Sequence, residues 1–411
     1  MAPVVTATSS QPSRPKLLRI AWVLWISTGA VRYSHVVTDG PGALMSGHCS
    51  QRLTPFRRPV GRKLRNLTDV TSSTWPAALS AARLHVVSGK GGTGKTTVAA
   101  ALALALASGG RRTLLIEVEG RQGIAQLFDT PPLPYEERKI AVAPGGGEVR
   151  ALAVDTEAAL LEYFELFYRL GMAGRTLRRM GAIEFATTLA PGLRDVLLTG
   201  KAKECVNRRG PDGRPVYDAV VLDAPPTGRV ISFLDVTKAM ADLAKSGPIH
   251  SQAAGVVQVL HSELTAVHLV TLLEDLPVTE TLETVDELTA AGFPIGAVIV
   301  NRVRPQWLPD RSVTAAANGR VDAERIRAGL SAAGLDLPAD VIDGLVAETV
   351  DHAVRVHAEG IALSRLDDGP LLPRLELPQL VDGVDLGSLY ELAETLVEQG
   401  VAVHTLSGAA S

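Results

Sequence analysis

The sequence predicts an α/β fold of three layers: a mostly parallel central sheet, helices on both faces, and a helical insertion. Three observations predict it. Short β-branched runs alternate with longer helical ones along most of the chain. Those short runs are apolar at successive positions, as in strands covered on both faces. One of them leads into a glycine-rich loop and an Ala/Leu helix stopped by Gly109-Gly110, so that Arg83 to Val118 reads as strand, loop, helix, strand.

Composition bounds the rest. With 411 residues, 46% hydrophobic and 21% charged, the chain has material for a sizeable core and is not wholly disordered. A net charge of -3 and only 4% aromatic residues give no pull toward nucleic acid and little for stacking, so no nucleic-acid partner is expected. Cys49 and Cys205 cannot make a disulfide framework or a four-thiolate metal site.

Residues 1–80 differ from the remainder of the chain. They hold ten Lys/Arg against two Asp, a net charge of +8 that leaves -11 for residues 81–411. They lack a helical or strand period and are expected to be disordered. Ile20–Val31 is apolar after Arg14, Lys16 and Arg19, yet at twelve residues it is too short to span a bilayer, and no small-residue cleavage site follows closely. A start placed too far upstream, a basic tail and a targeting segment all fit. The ordered domain is expected over residues 81–411.

Element by element, Arg83–Ser88 reads as a buried strand, Val98–Ser108 as a helix packed on a sheet, and Arg112–Val118 as the second strand. Further strands are expected at Ala151–Val154, Tyr217–Leu222, Val267–Thr271 and Pro294–Val300. Helices are expected at Ala158–Arg169, Leu193–Val206, Val230–Ala244, Ile249–Leu260, Leu276–Ala290, Ala323–Ala333, Pro338–Ala358 and Leu386–Glu398. Residues 155–215 are too long for an ordinary crossover between core strands and read as the helical insertion.

The loop carries the chemistry. Gly89 to Thr96 fits G-x-x-x-x-G-K-[ST] between a strand and a helix, the arrangement of a phosphate-binding P-loop. Gly89, Gly91, Gly92 and Gly94 let the backbone N–H groups around Thr93 converge on phosphate oxygens, and the helix N-terminus, with Thr97 in its first turn, adds a favourable dipole. Lys95 reaches the β- and γ-phosphates, and the Thr96 hydroxyl suits Mg²⁺. The expected ligands are therefore ATP and Mg²⁺. Asp223 ends the buried run Tyr217–Asp223, where an acid that holds a Mg²⁺ water is expected, while Asp218 at its start reads as structural.

Lys90-Gly-Gly-Thr-Gly-Lys-Thr-Thr97 resembles the deviant P-loop of the superfamily that holds septum-site and plasmid-partition ATPases, the nitrogenase iron protein and the arsenite-pump ATPase. Asp223-Ala-Pro-Pro-Thr-Gly228 is similar to the switch segment of the arsenite-pump and tail-anchored-protein targeting ATPases, usually Asp-Thr-Ala-Pro-Thr-Gly. The resemblance spans about residues 83–400. It implies a dimer, homodimeric or formed with a related ATPase chain, in which Lys90 crosses to the partner's phosphates and Gly228 senses the γ-phosphate. It places Glu119, in Glu117-Val-Glu-Gly-Arg-Gln-Gly123, on the aspartate that positions the attacking water. It implies that Asn301 contacts adenine, and that Pro373-Arg-Leu-Glu-Leu-Pro378, through Pro373 and Leu375, forms the loop covering the base. Pro191–Asp195 and Leu276–Thr281 are similar to two further family stretches of less clear chemistry.

The departures matter too. Glu119 is one methylene longer than the family's aspartate, Gly120 stands for proline and Gln122 for histidine. No Cys-x-x-Cys is present and Cys205 stands alone beyond residue 80, so neither a zinc nor an arsenite site is expected. Leu160, Phe164, Phe167, Leu170, Met172, Leu177 and Met180 give the insertion an apolar face that suits a hydrophobic or membrane-protein client, and equally a helix core or dimer interface. The expected activity is Mg²⁺-dependent ATP hydrolysis driving a dimeric conformational switch, in the cytoplasm, with any membrane contact made through a partner. Two rivals are a partition or positioning ATPase acting on membrane or nucleic acid, and a regulatory nucleotide-binding partner with weak hydrolysis.

Overall fold

A computed structural model describes residues 75–159, 162, 193–235, 248–381 and 383–401. Its centre is an eight-stranded sheet. The strands are β1 (Leu84–Gly89), β2 (Arg112–Glu117), β3 (Arg138–Val142), β4 (Glu148–Ala153), β5 (Ala219–Asp223), β6 (Thr265–Thr271), β7 (Ile295–Val303) and β8 (Arg374–Pro378), in the order β3-β4-β2-β5-β1-β6-β7-β8. Only the edge pair β3–β4 is antiparallel; the other neighbours run parallel. The expected three-layer α/β fold of a P-loop NTPase is what the chain adopts.

Alternate residues of the central strands feed two cores. Val87, Leu115, Val221 and Val270 join one layer; Val86, Leu114, Ile116, Val220, Leu222 and Leu269 join the other. The helices, in chain order, are α1 (Ala77–Ala81), α2 (Lys95–Ala107), α3 (Gly123–Leu127), α4 (Leu193–Asn207), α5 (Thr227–Leu234), α6 (Pro248–Leu260), α7 (Asp275–Ala290), α8 (Asp310–Ala317), α9 (Ala323–Ala332), α10 (Ala339–Asp367) and α11 (Leu386–Glu398). Helix α2 is buried at every position from Val98 to Ala107. Its alanines favour the helix and let it lie close to the sheet, with Leu389, Leu392, Ala393 and Leu396 of α11 in the same layer. The opposite layer draws on α4, α5, α6 and α7.

Residues 305–359 form a compact unit of their own within the span expected as one domain. Leu330, Ile342 and Leu345 make one small core there, and Leu308, Val313, Ala316 and Ala353 another. From Gly360 onward α10 belongs to the larger unit, where Ala362 and Leu366 pack with Leu273, Val278 and Val298.

Several expected elements differ. β3, β8, α1, α3 and α8 have no counterpart among the expected elements, and α10 runs well past Ala358. Trp75, read with the leader, is buried and stacks on His268 with ring centroids 5.5 Å apart. Most of the expected helix Ala158–Arg169, the second half of Val230–Ala244, and the apolar face from Leu160 to Met180 lie outside the described residues.

His85 and His268 carry a polar chain across three strands. The Ala297 N–H donates to His268 Nδ1 at 3.0 Å, which places the His268 proton on Nε2. That nitrogen lies 3.1 Å from His85 Nδ1, and His85 Nε2 lies 3.2 Å from the Ala82 carbonyl. Both rings are therefore neutral donors and acceptors in sequence. Gly296 makes room, since a Cβ there would lie 2.5 Å from His268 Nδ1.

Candidate active site

The P-loop follows from glycine stereochemistry. Gly89 ends β1 at φ 152°, and a Cβ on it would lie 2.2 Å from the Val270 carbonyl oxygen of β6. Gly94 is left-handed at φ 87° and caps α2; a Cβ there would meet Asn301 Nδ2 at 2.5 Å. Gly91 and Gly92 are exposed, and Thr93 is buried with its hydroxyl donating 2.8 Å to the Lys90 carbonyl. The first turn of α2, with Lys95, Thr96 and Thr97, therefore opens toward the loop's concave side with unpaired N–H groups.

Asp223 stands at the end of β5 beside this turn. Thr96 Oγ1 donates to Asp223 Oδ2 at 2.7 Å, while Oδ1 is buried without a partner. Burial pushes the Asp223 carboxyl up to about 6, against the pull of the Thr96 hydrogen bond and the Lys95 charge. Burial likewise lowers the Lys95 ammonium, opposed by Asp223 and Glu119. A hydroxyl joined to a carboxylate with a free oxygen is a fitting donor set for Mg²⁺ and its water.

Glu117 lies beside Asp223 and was not singled out from the sequence. It ends β2 as Asp223 ends β5, and the two are direct Cα partners in the sheet. Glu117 is 2% exposed; Oε2 accepts from the Ile124 N–H at 3.3 Å and Oε1 has no partner. The signal was present, because the reasoning that selects Asp223, a carboxylate closing a buried strand, applies equally to Glu117.

Glu119 follows on a tethered turn. It is half-buried and pairs with Arg121 at 3.5 Å. Gly120 and Gln122 are left-handed, at φ 66° and 57°. The Gln122 amide grips both backbone groups of Leu133, accepting from its N–H at 2.7 Å and donating to its carbonyl at 3.1 Å. Arg194 of α4 donates to the Val118 carbonyl at 3.4 Å, and Asp195 lies 3.8 Å from Arg229. On the other side, Ser88 Oγ donates to the Pro225 carbonyl at 2.7 Å, and Gly228 sits exposed in the first turn of α5.

A sequence 62% identical over 331 residues, 80% of this chain and 97% of the relative, is ATPase BagA of Mycobacterium tuberculosis. The chain belongs to the anion-transporting ATPase family. Residues 82–260 match that family's pattern directly. More distant members include ATPase get3 of Schizosaccharomyces japonicus, 25% identical over 60% of this chain and 79% of the relative. The arsenical pump-driving ATPase of Escherichia coli is 26% identical over 61% of this chain and 44% of its own length. As a member of this ATPase family, the protein binds and hydrolyses ATP.

In this anion-transporting ATPase fold, two base-side expectations change. The segment expected as a loop over the base is strand β8, paired with β7. Leu375 is 1% exposed in the hydrophobic core, so its side chain cannot cover a base, while Pro373 precedes the strand and its carbonyl accepts from Val298 N at 2.9 Å. Asn301 is spent partly on the loop itself: Nδ2 donates to the Thr93 carbonyl at 2.8 Å and Oδ1 accepts from Arg302 N at 2.9 Å. Strand position alone could not reveal that contact, which depends on β7 lying two strands from β1. Cys205 is buried near Glu137 and Glu204, and burial pushes its thiol up, away from the thiolate that binds metals. Among the described residues no helix is long and apolar enough to cross a membrane.

Proposed function

We propose that this ATPase works as a nucleotide-driven dimeric switch. The observation that carries the reading is an extra lysine in the loop: Lys90 sits within a complete phosphate cradle whose own lysine is already Lys95. Within one chain, the Gly89–Thr97 amides and Lys95 suffice to hold phosphates, so Lys90 is available to a second copy or a related chain across the site.

Thr96 and Asp223 would hold Mg²⁺ and its water, and the ion would supply charge neutralisation against the phosphates. Lys95 and the loop N–H groups stabilise charge that develops on the leaving phosphate oxygens. Glu119 accepts a hydrogen bond from the attacking water and orients it. The Gly228 N–H, in the first turn of α5, senses whether a γ-phosphate is present. Asn301 fixes the loop from behind, and its remaining amide hydrogen serves the adenine. The output is conformational work on a partner.

A weak-hydrolysis regulatory role is the second reading, favoured by the Glu119–Arg121 ion pair, which engages the water-orienting acid. ATP turnover by the full chain beside Lys90→Ala, with oligomeric mass measured in ADP and in a non-hydrolysable ATP analogue, tests the first reading. Loss of turnover and analogue-dependent dimers that vanish in the variant are expected. Unchanged turnover and mass would leave an ordinary P-loop ATPase.

A further inference from the structure

The stretch Leu276–Thr281, whose chemistry the sequence left open, meets the loop lysine. Glu280 lies in the second turn of α7 and its Oε1 accepts from Lys90 Nζ in an ion pair. Its other oxygen, Oε2, accepts from Thr227 Oγ1 at 3.3 Å. Thr227 is buried, opens α5, and directly precedes Gly228. One carboxylate thus joins three segments: the loop lysine, the switch threonine, and α7.

We propose that Glu280 is an in-chain latch for Lys90, a positioning residue that holds the lysine within its own subunit and couples its release to the Gly228 segment through Thr227. This rests on the reading of Lys90 as a residue that crosses a dimer interface. The physical reason is exclusion. An ammonium on Glu280 cannot at the same time sit on a partner's phosphate, so closure must exchange one ion pair for another. Once Lys90 leaves, Glu280 keeps only a neutral hydroxyl as partner, and the Thr227 contact is free to rearrange. The ligand that competes with Glu280 is therefore a polyphosphate anion, presented by a second subunit.

Each half of the contact biases the same equilibrium. Removing the Glu280 charge weakens the open form without touching the phosphate cradle, so closure needs less nucleotide. Removing the Thr227 hydroxyl loosens only the switch side, with a smaller effect in the same direction. Glu280→Asp retains the charge on a shorter arm and is expected to fall between wild type and Glu280→Gln.

The test is dimer mass against concentration of a non-hydrolysable ATP analogue with Mg²⁺, on the full chain. Glu280→Gln is expected to lower the midpoint about tenfold and Thr227→Val about threefold, and neither is expected to restore dimers in a Lys90→Ala background, since the latch acts only through Lys90. Thermal melting of each variant without nucleotide separates a latch from simple misfolding, and Glu280→Asp and Thr227→Val serve if Glu280→Gln does not fold. If Lys90→Ala blocks dimers while Glu280→Gln leaves or raises the midpoint, the latch fails and the crossing lysine stands. If Lys90→Ala dimerises like wild type, the crossing reading falls and the latch with it.

Discussion

The P-loop and the segment after β2 flank the same strand, β5, and are built on opposite principles. In Gly89–Thr97 the backbone does the work: glycines whose Cβ atoms would strike Val270 or Asn301 let the chain take the loop shape. In Glu117–Ile124 side chains do it: Glu117 holds Ile124, Gln122 holds Leu133, and Glu119 is carried between them. Backbone geometry tolerates almost no change of residue type, whereas a tether of side chains can be rebuilt with other residues.

Mutations can break this contrast. The largest effect is expected from Lys95→Ala, which removes the cation in the cradle: turnover should fall about 1000-fold, with nucleotide binding weakened as well. Glu119→Gln should lower turnover about 100-fold and leave the analogue's affinity near wild type, as measured by single-turnover hydrolysis and equilibrium titration. Parallel loss of affinity in Glu119→Gln would mean that the segment after β2 helps build the cradle, and the division between the two regions would fail.

Legibility in the sequence divides along the same line. The central strands and α2 are readable because their apolar runs are long and their glycine stops are local. α11 is readable from its apolar period alone. β3 and β8 are not, since both are short edge strands that carry two charged residues each, Arg138 and Lys139 in one and Arg374 and Glu376 in the other. In the site, the loop and Asp223 are readable from spacing. The Asn301–Thr93 and Glu280–Lys90 contacts are not, because each joins residues about two hundred positions apart whose meeting depends on sheet order.

The histidine chain offers a gentler contrast, built on the same β1 that leads into the P-loop. Burial lowers the His85 ring to about 4 and holds His268 well below its ordinary value. A base whose pKa is depressed by folding stabilises the protein above its unfolded value and loses that contribution as pH falls. For His85 the loss runs from about pH 6.5 down to about 4 and reaches about 2 kcal/mol near pH 5. Thermal melting between pH 7.5 and 5 should show it. A flat profile across that window would mean that the chain from Ala297 to Ala82 accepts a proton without breaking.

The smallest effect should come from Gln122, and it separates tether from backbone within one residue. Gln122→Ala removes both bonds to Leu133 and keeps a Cβ in the left-handed turn at φ 57°. Gln122→Gly removes the same bonds but relieves that backbone cost, which is about 1 kcal/mol. The alanine variant should therefore melt lower than the glycine variant, while turnover falls severalfold in both because Glu119 loses an anchor. Affinity for a non-hydrolysable analogue should hold in both, since neither touches the Gly89–Thr97 backbone. Equal turnover in wild type and both variants would assign the placement of Glu119 to Glu117 and Arg194 instead, through the Ile124 amide and the Val118 carbonyl.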